Sequence, residues 1–84
     1  MDVRVYITPK QGILDPQGVA IERSLPALGF DGVTDVRVGK FIELQVAVPA
    51  GTPAAEARTE VDEMCRKLLA NPIIEDYNFT VDEA

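Results

Sequence analysis

Val3, Val5 and Ile7 alternate with Arg4, Tyr6 and Thr8, a period of two that predicts a half-buried first strand ending at Pro9. Beyond the loop KQGIL, Asp15 is a good N-cap, and Pro16 suits the first helical position, where its missing N–H costs nothing. Leu14 and Val19 can close over the first turn as a hydrophobic staple, while Ile21, Leu25 and Leu28 form an inward stripe. Gly29 supplies a left-handed stop. Pro26 cannot donate to the Glu22 carbonyl, so a bent or loosened last turn is expected. Two strand-like runs follow, around Val33 to Val38 and Phe41 to Val48, before PAGTP breaks the pattern. Thr52 and Pro53 repeat the cap-plus-proline start of a second helix, which presents Ala54, Ala57, Val61, Met64, Cys65 and Leu68 on one side. Its other side carries the acid-before-base pairs Asp62 with Arg66 and Glu63 with Lys67. Asn71-Pro72 stops this helix, and IIEDYNFTV returns as a last strand with Tyr77, Phe79 and Val81 on a common face. The residues from Asp82 to Ala84 are expected to fray.

The element order is βαββαβ over a single domain, residues 1–84. It predicts an α+β fold, a mainly antiparallel, ferredoxin-like sheet with two helices on one face. The other face is left uncovered, with Arg4, Tyr6, Arg37, Glu43 and Gln45 upon it. Within this scheme DVRVGKFIEL, Asp35 to Leu44, poses a parity problem. A two-residue turn at Gly39-Lys40 puts Val36 and Val38 on one face and Ile42 and Leu44 on the other, because opposed residues of an antiparallel pair share a face. An odd loop of Gly39, Lys40 and Phe41, or a bulge, restores parity, sets Arg37 across from Glu43 and pushes Phe41 out to the turn. This odd register is favoured. Alternatively the two-residue turn holds and a second chain buries the other face. Both routes leave apolar surface that a small chain cannot cover, so self-association is expected.

Composition narrows the functional classes. At 84 residues the chain lies near the lower end of what folds on one core, which favours help from a partner. There is no histidine and one cysteine, so an internal disulfide, a cysteine-cluster metal site and the commonest general base are all excluded. A formal charge of −6 repels phosphates, arguing against a nucleic-acid partner. No apolar run spans a membrane, and MDVRVYITPKQG has the pattern of neither a signal nor a transit peptide, so the cytoplasm is the expected compartment.

The candidate chemistry is thin. Cys65 sits on the inward stripe and reads as a small buried hydrophobe. Lys10, Gln11 and Gly12 precede a helix start that could hold an anion, but the favoured reading is solvated loop residues. RNA-recognition modules share the βαββαβ order, but FIELQVAV lacks their basic, glycine-and-aromatic-rich strand. Acylphosphatases share it too, and need an arginine in the first loop where this chain has PKQGILD. Asp15 or Glu43 would need a second group nearby for acid-base work, and none is specified.

The segments LDPQGVAIERSLPALGF, DVRVGKFIEL and LLANPIIEDY, in this order and spacing, resemble the PurS family, the small subunits of phosphoribosylformylglycinamidine synthase. Pro9 and Pro26 depart from the pattern. The resemblance implies a place in purine biosynthesis, in a complex that converts formylglycinamide ribonucleotide to the amidine with ATP and glutamine. It implies a non-catalytic role for this chain, as a homodimer or higher assembly that brings together a large synthetase subunit and a glutaminase subunit. No cofactor is expected on this chain; ATP and magnesium belong to the synthetase. Family importance carries over to Asp15, Pro16 and Gly18 at the first helix start and to Asn71 and Pro72 at the second helix exit, all of which capping and termination also explain. Partner contacts are expected at Arg37, Gly39, Lys40, Phe41 and Tyr77. A different class of function stays open beside this one, a stand-alone ligand-sensing or interaction module on a ferredoxin-like sheet.

Overall fold

The computed structural model describes residues 1–82. Strand β1 (Asp2–Pro9) lies at the centre of a three-stranded sheet, flanked by β2 (Lys40–Gln45) and β3 (Glu75–Asp82) in the order β2-β1-β3. Both neighbours run antiparallel to β1 and therefore parallel to each other, and helix α2 (Ala54–Met64) makes the connection between them. The register sets Val5 opposite Ile42 on one side and Phe79 on the other. The central strand has no edge to expose, and its alternation puts Val3, Val5 and Ile7 at 1%, 0% and 1% exposure beneath α2.

The core closes with Val61, Cys65 and Ala70 from the α2 layer, and Ile42, Leu44, Tyr77, Phe79 and Val81 pack at its margin. The common face expected of Tyr77, Phe79 and Val81 is therefore the core face. The end of the second helix departs from the simple stripe. Cys65–Leu69 forms a π-helical turn in which the Cys65 carbonyl accepts the Ala70 amide at 2.8 Å. The extra residue rotates the chain, so Leu68 points out at 83% exposure while Leu69 packs against the core. Thr52 does not cap α2, because its hydroxyl donates to the Pro49 carbonyl and the N-cap position is Pro53.

Helix α1 (Pro16–Ser24) starts where Asp15 and Pro16 predict, and Pro26 loosens its end into a single 3₁₀ turn, Pro26–Leu28, stopped by Gly29 in the left-handed region at φ 98°. The apolar stripe of α1 is not buried. Ile21 is exposed, Leu28 is 71% exposed, and Leu14, at 82%, leaves the expected staple open. None of the α1 residues joins the core cluster, and the principal-axis extents of 55 × 27 × 15 Å describe an elongated protomer. The radius of gyration is 16.7 Å, where a compact chain of this length has about 12 Å.

The α+β class and the antiparallel sheet stand as read, but the run Val33 to Val38 is not a strand of this sheet, and there is no hairpin at Gly39-Lys40. The parity mismatch resolves because the two halves of DVRVGKFIEL never pair with each other. Phe41 consequently lies within β2 opposite Tyr6, not at a turn tip, and Glu43 faces Arg4, not Arg37. Asp82 does not fray: it pairs with Asp2 in the sheet, and its carboxylate takes Arg4 at 2.6 Å. Glu83 and Ala84 lie outside the described residues.

Gly39 carries the chain from the α1 region onto the sheet, so close to β1 that an added Cβ would overlap the Ile7 carbonyl. Gly39→Ala is expected to cost about 1–3 kcal/mol through backbone overlap, seen as a lower urea midpoint. Gly32→Ala, where a Cβ meets nothing within 4 Å, should stay within about 0.5 kcal/mol. Equal midpoints for the two variants would contradict this account of the close approach.

Candidate interaction surfaces

Two regions of the protomer carry the residues singled out by sequence. The first is the arm formed by α1 and the chain that leaves it. Asp15 does more than cap the helix. Its Oδ1 accepts the Gly18 amide at 3.1 Å, and its Oδ2 accepts the Val38 amide at 2.7 Å. Two turns further along the helix, Glu22 Oε1 accepts the Val36 amide at 3.1 Å. The helix thus offers two carboxylates to alternate amides of an extended segment, as a neighbouring strand would offer carbonyls. Gly18 is buried under this segment, and a Cβ there would overlap the Val36 carbonyl. Pro16 sets the first helical residue, and glycine at 18 lets the two backbones meet.

Asp35 turns the chain into this segment with φ 57°, an uncommon backbone conformation for a residue with a side chain. Arg37 follows, its guanidinium reaching the Pro9 carbonyl at 3.3 Å and lying 4.0 Å from the Asp35 carboxylate. It remains exposed. Val19, Ile21, Leu28, Phe30 and Val33 extend the exposed apolar surface along the arm.

The second region is the sheet face opposite α2. Tyr6 and Phe41 stack there across β1 and β2 with ring centroids 5.1 Å apart, and both rings are about half exposed. Arg4, Glu43, Gln45, Asn78 and Thr80 share this face by strand alternation. Arg37, expected there, belongs to the arm instead.

The remaining candidates tie parts of the protomer to one another, Lys40 with its side chain still largely exposed. Lys40 reaches across β1 to Glu75 at 3.6 Å, and the other Glu75 oxygen accepts the Asn71 amide at 2.8 Å, joining both edge strands to the exit from α2. Asn71 accepts the Ile73 amide through its side chain and the Glu75 amide through its carbonyl, with Pro72 inside the turn. Tyr77 donates its hydroxyl to Asp62 at 2.6 Å, and Asp62 also receives Arg66 at 2.9 Å. This hydrogen bond holds the Tyr77 hydroxyl above its ordinary pKa. Sequence reasoning missed Glu22, Asp62 and Glu75 as organisers. The seven-residue interval from Asp15 to Glu22 puts both on one helix face, but their partners lie far along the chain.

Chemically, these surfaces suit binding. Cys65 is fully buried, and desolvation pushes its thiol further above the range where thiolate forms. Among the described residues no group of three His, Cys, Asp or Glu side chains is placed to hold a metal ion, and no helix is long and apolar enough to cross a membrane.

The Val38 and Gly18 amides, in that order, hold the Asp15 carboxyl below its ordinary pKa of 3.8. A carboxylate whose pKa is lower folded than unfolded gives stability that is full above the unfolded value and lost as pH falls through the folded one. The Val38 amide is therefore expected to stay protected from exchange down to pH 3.8 and to lose protection below it. In Asp15→Asn the acid step at Val38 should vanish, with weaker protection at all pH values. NMR amide exchange checks this, and an identical acid step in both proteins would contradict it.

A family model described as phosphoribosylformylglycinamidine (FGAM) synthase, PurS, matches residues 2–83. The chain is 45% identical over 78 residues to the phosphoribosylformylglycinamidine synthase subunit PurS of Synechocystis sp., covering 93% of this chain and 75% of that relative. The Bacillus subtilis subunit of the same description is 42% identical over 81 residues, covering 96% and 92%. The C2 crystal form of Bacillus subtilis PurS superposes with a TM-score of 0.79 at 41% identity, covering 98% of each chain. A chain in the structure of PurLQS from Thermotoga maritima superposes with a TM-score of 0.79 at 29% identity, covering 94% of this chain and 93% of that one. A likeness that runs through the arm, the sheet and the helix layer together means that this chain belongs to the PurS family of phosphoribosylformylglycinamidine synthase subunits.

Proposed function

We infer that this chain is a small subunit of phosphoribosylformylglycinamidine synthase, associating with itself and joining a large synthetase subunit to a glutaminase subunit. The complex turns formylglycinamide ribonucleotide, glutamine and ATP into formylglycinamidine ribonucleotide. ATP and magnesium belong to the synthetase, and this chain contributes contacts, not catalytic groups. The observation that carries the reading is its likeness, over nearly its whole length, to a chain of the Thermotoga maritima PurLQS structure. The exposed apolar arm supports it, because side chains such as Leu14, Leu28 and Phe30 gain from being covered by neighbours.

Among the contact candidates, Arg37, Lys40 and Phe41 have exposed side chains that a partner can reach, and Tyr6 stacked on Phe41 enlarges that surface. Gly39 and Tyr77 serve the same surfaces from within, by fixing the path of the chain and the seat of β3 on α2.

Glutamine-dependent product formation by purified synthetase and glutaminase subunits is expected to require this chain. An equal rate in its absence would contradict the reading. Replacing Arg37 and Lys40 together with alanine should weaken complex formation about five- to tenfold while leaving the far-ultraviolet circular dichroism unchanged. Gel filtration that finds complex formation unaltered would remove both from the contact surface.

A further inference from the structure

The clamp on the arm contains a residue with no assigned role. Asp15 is a helix cap, but Glu22 lies in the last turn of α1, and its half-buried carboxylate spends an oxygen on an amide fourteen residues away. We propose that Glu22 is a positioning residue for assembly, setting the path of Val36–Val38 so that Arg37 is held facing outward toward a partner subunit. The proposal rests on the small-subunit reading above.

Four observations converge. The Val36 and Val38 amides both point at α1, taken by Glu22 and Asp15, and the Val36 carbonyl points the same way, lying over Gly18. Between the half-buried Val36 and Val38, Arg37 is exposed, with its guanidinium steadied on the Pro9 carbonyl. Asp35, one residue before the clamp, sits at φ 57°, a conformation that persists where the surroundings fix it. Gly39, one residue after it, is pinned against Ile7 and Thr8. Glu22 is the attachment nearest Asp35, and without it the segment from Asp35 to Val38 keeps, among the described residues, the bonds that Asp15 and the Arg37 guanidinium make.

A partner that recognises the segment in one arrangement binds in proportion to how often that arrangement is present. Loss of the Glu22 acceptor therefore raises the concentration of chain needed for assembly without altering the complex once formed. Glutamine retains a carbonyl oxygen that can accept the Val36 amide, and alanine does not.

The test uses full-length chains carrying Glu22→Ala or Glu22→Gln, titrated into purified synthetase and glutaminase subunits, with NMR exchange of the Val36 amide followed in the chain by itself. Glu22→Ala is expected to raise the half-saturating concentration about five- to tenfold at an unchanged plateau rate, and to speed Val36 exchange by a similar factor. Glu22→Gln should return both toward the parent chain. Unchanged half-saturation and exchange in Glu22→Ala, or a Gln variant as impaired as the Ala variant, would overturn the proposal. If the parent chain itself fails to stimulate the synthase, the small-subunit reading falls instead, and the Val36 exchange rates decide the positioning role of Glu22 alone.

Discussion

Two carboxylates on one face of α1, bonded to alternate amides of Val36–Val38, determine what this protomer can and cannot bury. Backbone amides need partners. Those of Val36 and Val38 find them on a helix instead of a strand, so the segment is withdrawn from the sheet and α1 is committed to the segment. The sheet keeps three strands, α2 covers one face of it by itself, and the apolar stripe of α1 faces outward.

The energetic consequence is an imbalance within one chain. The core beneath α2 is dense at its centre, with Val3, Val5, Ile7, Val61 and Cys65 essentially inaccessible to water. The arm contributes no comparable residue, although a leucine or phenylalanine side chain gains about 1.5–3 kcal/mol when fully covered. Association costs at least about 4 kcal/mol in lost freedom, so covering several arm residues together is enough to favour it. Covering the arm would therefore add apolar burial that the protomer does not supply by itself.

Much of this was readable in the residues, where the signal was local. The alternation in β1, the cap and proline that begin α1, the left-handed Gly29 and the faces of β3 depend on neighbours within a few positions. The parity clash in DVRVGKFIEL was a true anomaly, but its cause was not a loop of odd length. It arose because Val36 and Val38 bond to α1, and a bond spanning fourteen or more residues leaves no periodic trace. The π-helical turn at Cys65 was hidden similarly: CRKLL continues a helical pattern, and only the carbonyl of Cys65 accepting Ala70 reveals the slipped register. Phe41 is exposed as expected, but for a different reason. It is exposed because it stacks on Tyr6 on the open sheet face, not because it caps a turn.

The arm is left uncovered by its own chain, and another subunit is expected to cover it. Sedimentation equilibrium of the purified chain at micromolar concentration tests this most directly. A mass of two protomers or more is expected, falling on dilution together with the helical circular dichroism of the arm. A single-protomer mass at every concentration, with full helical signal and cooperative unfolding, would contradict it.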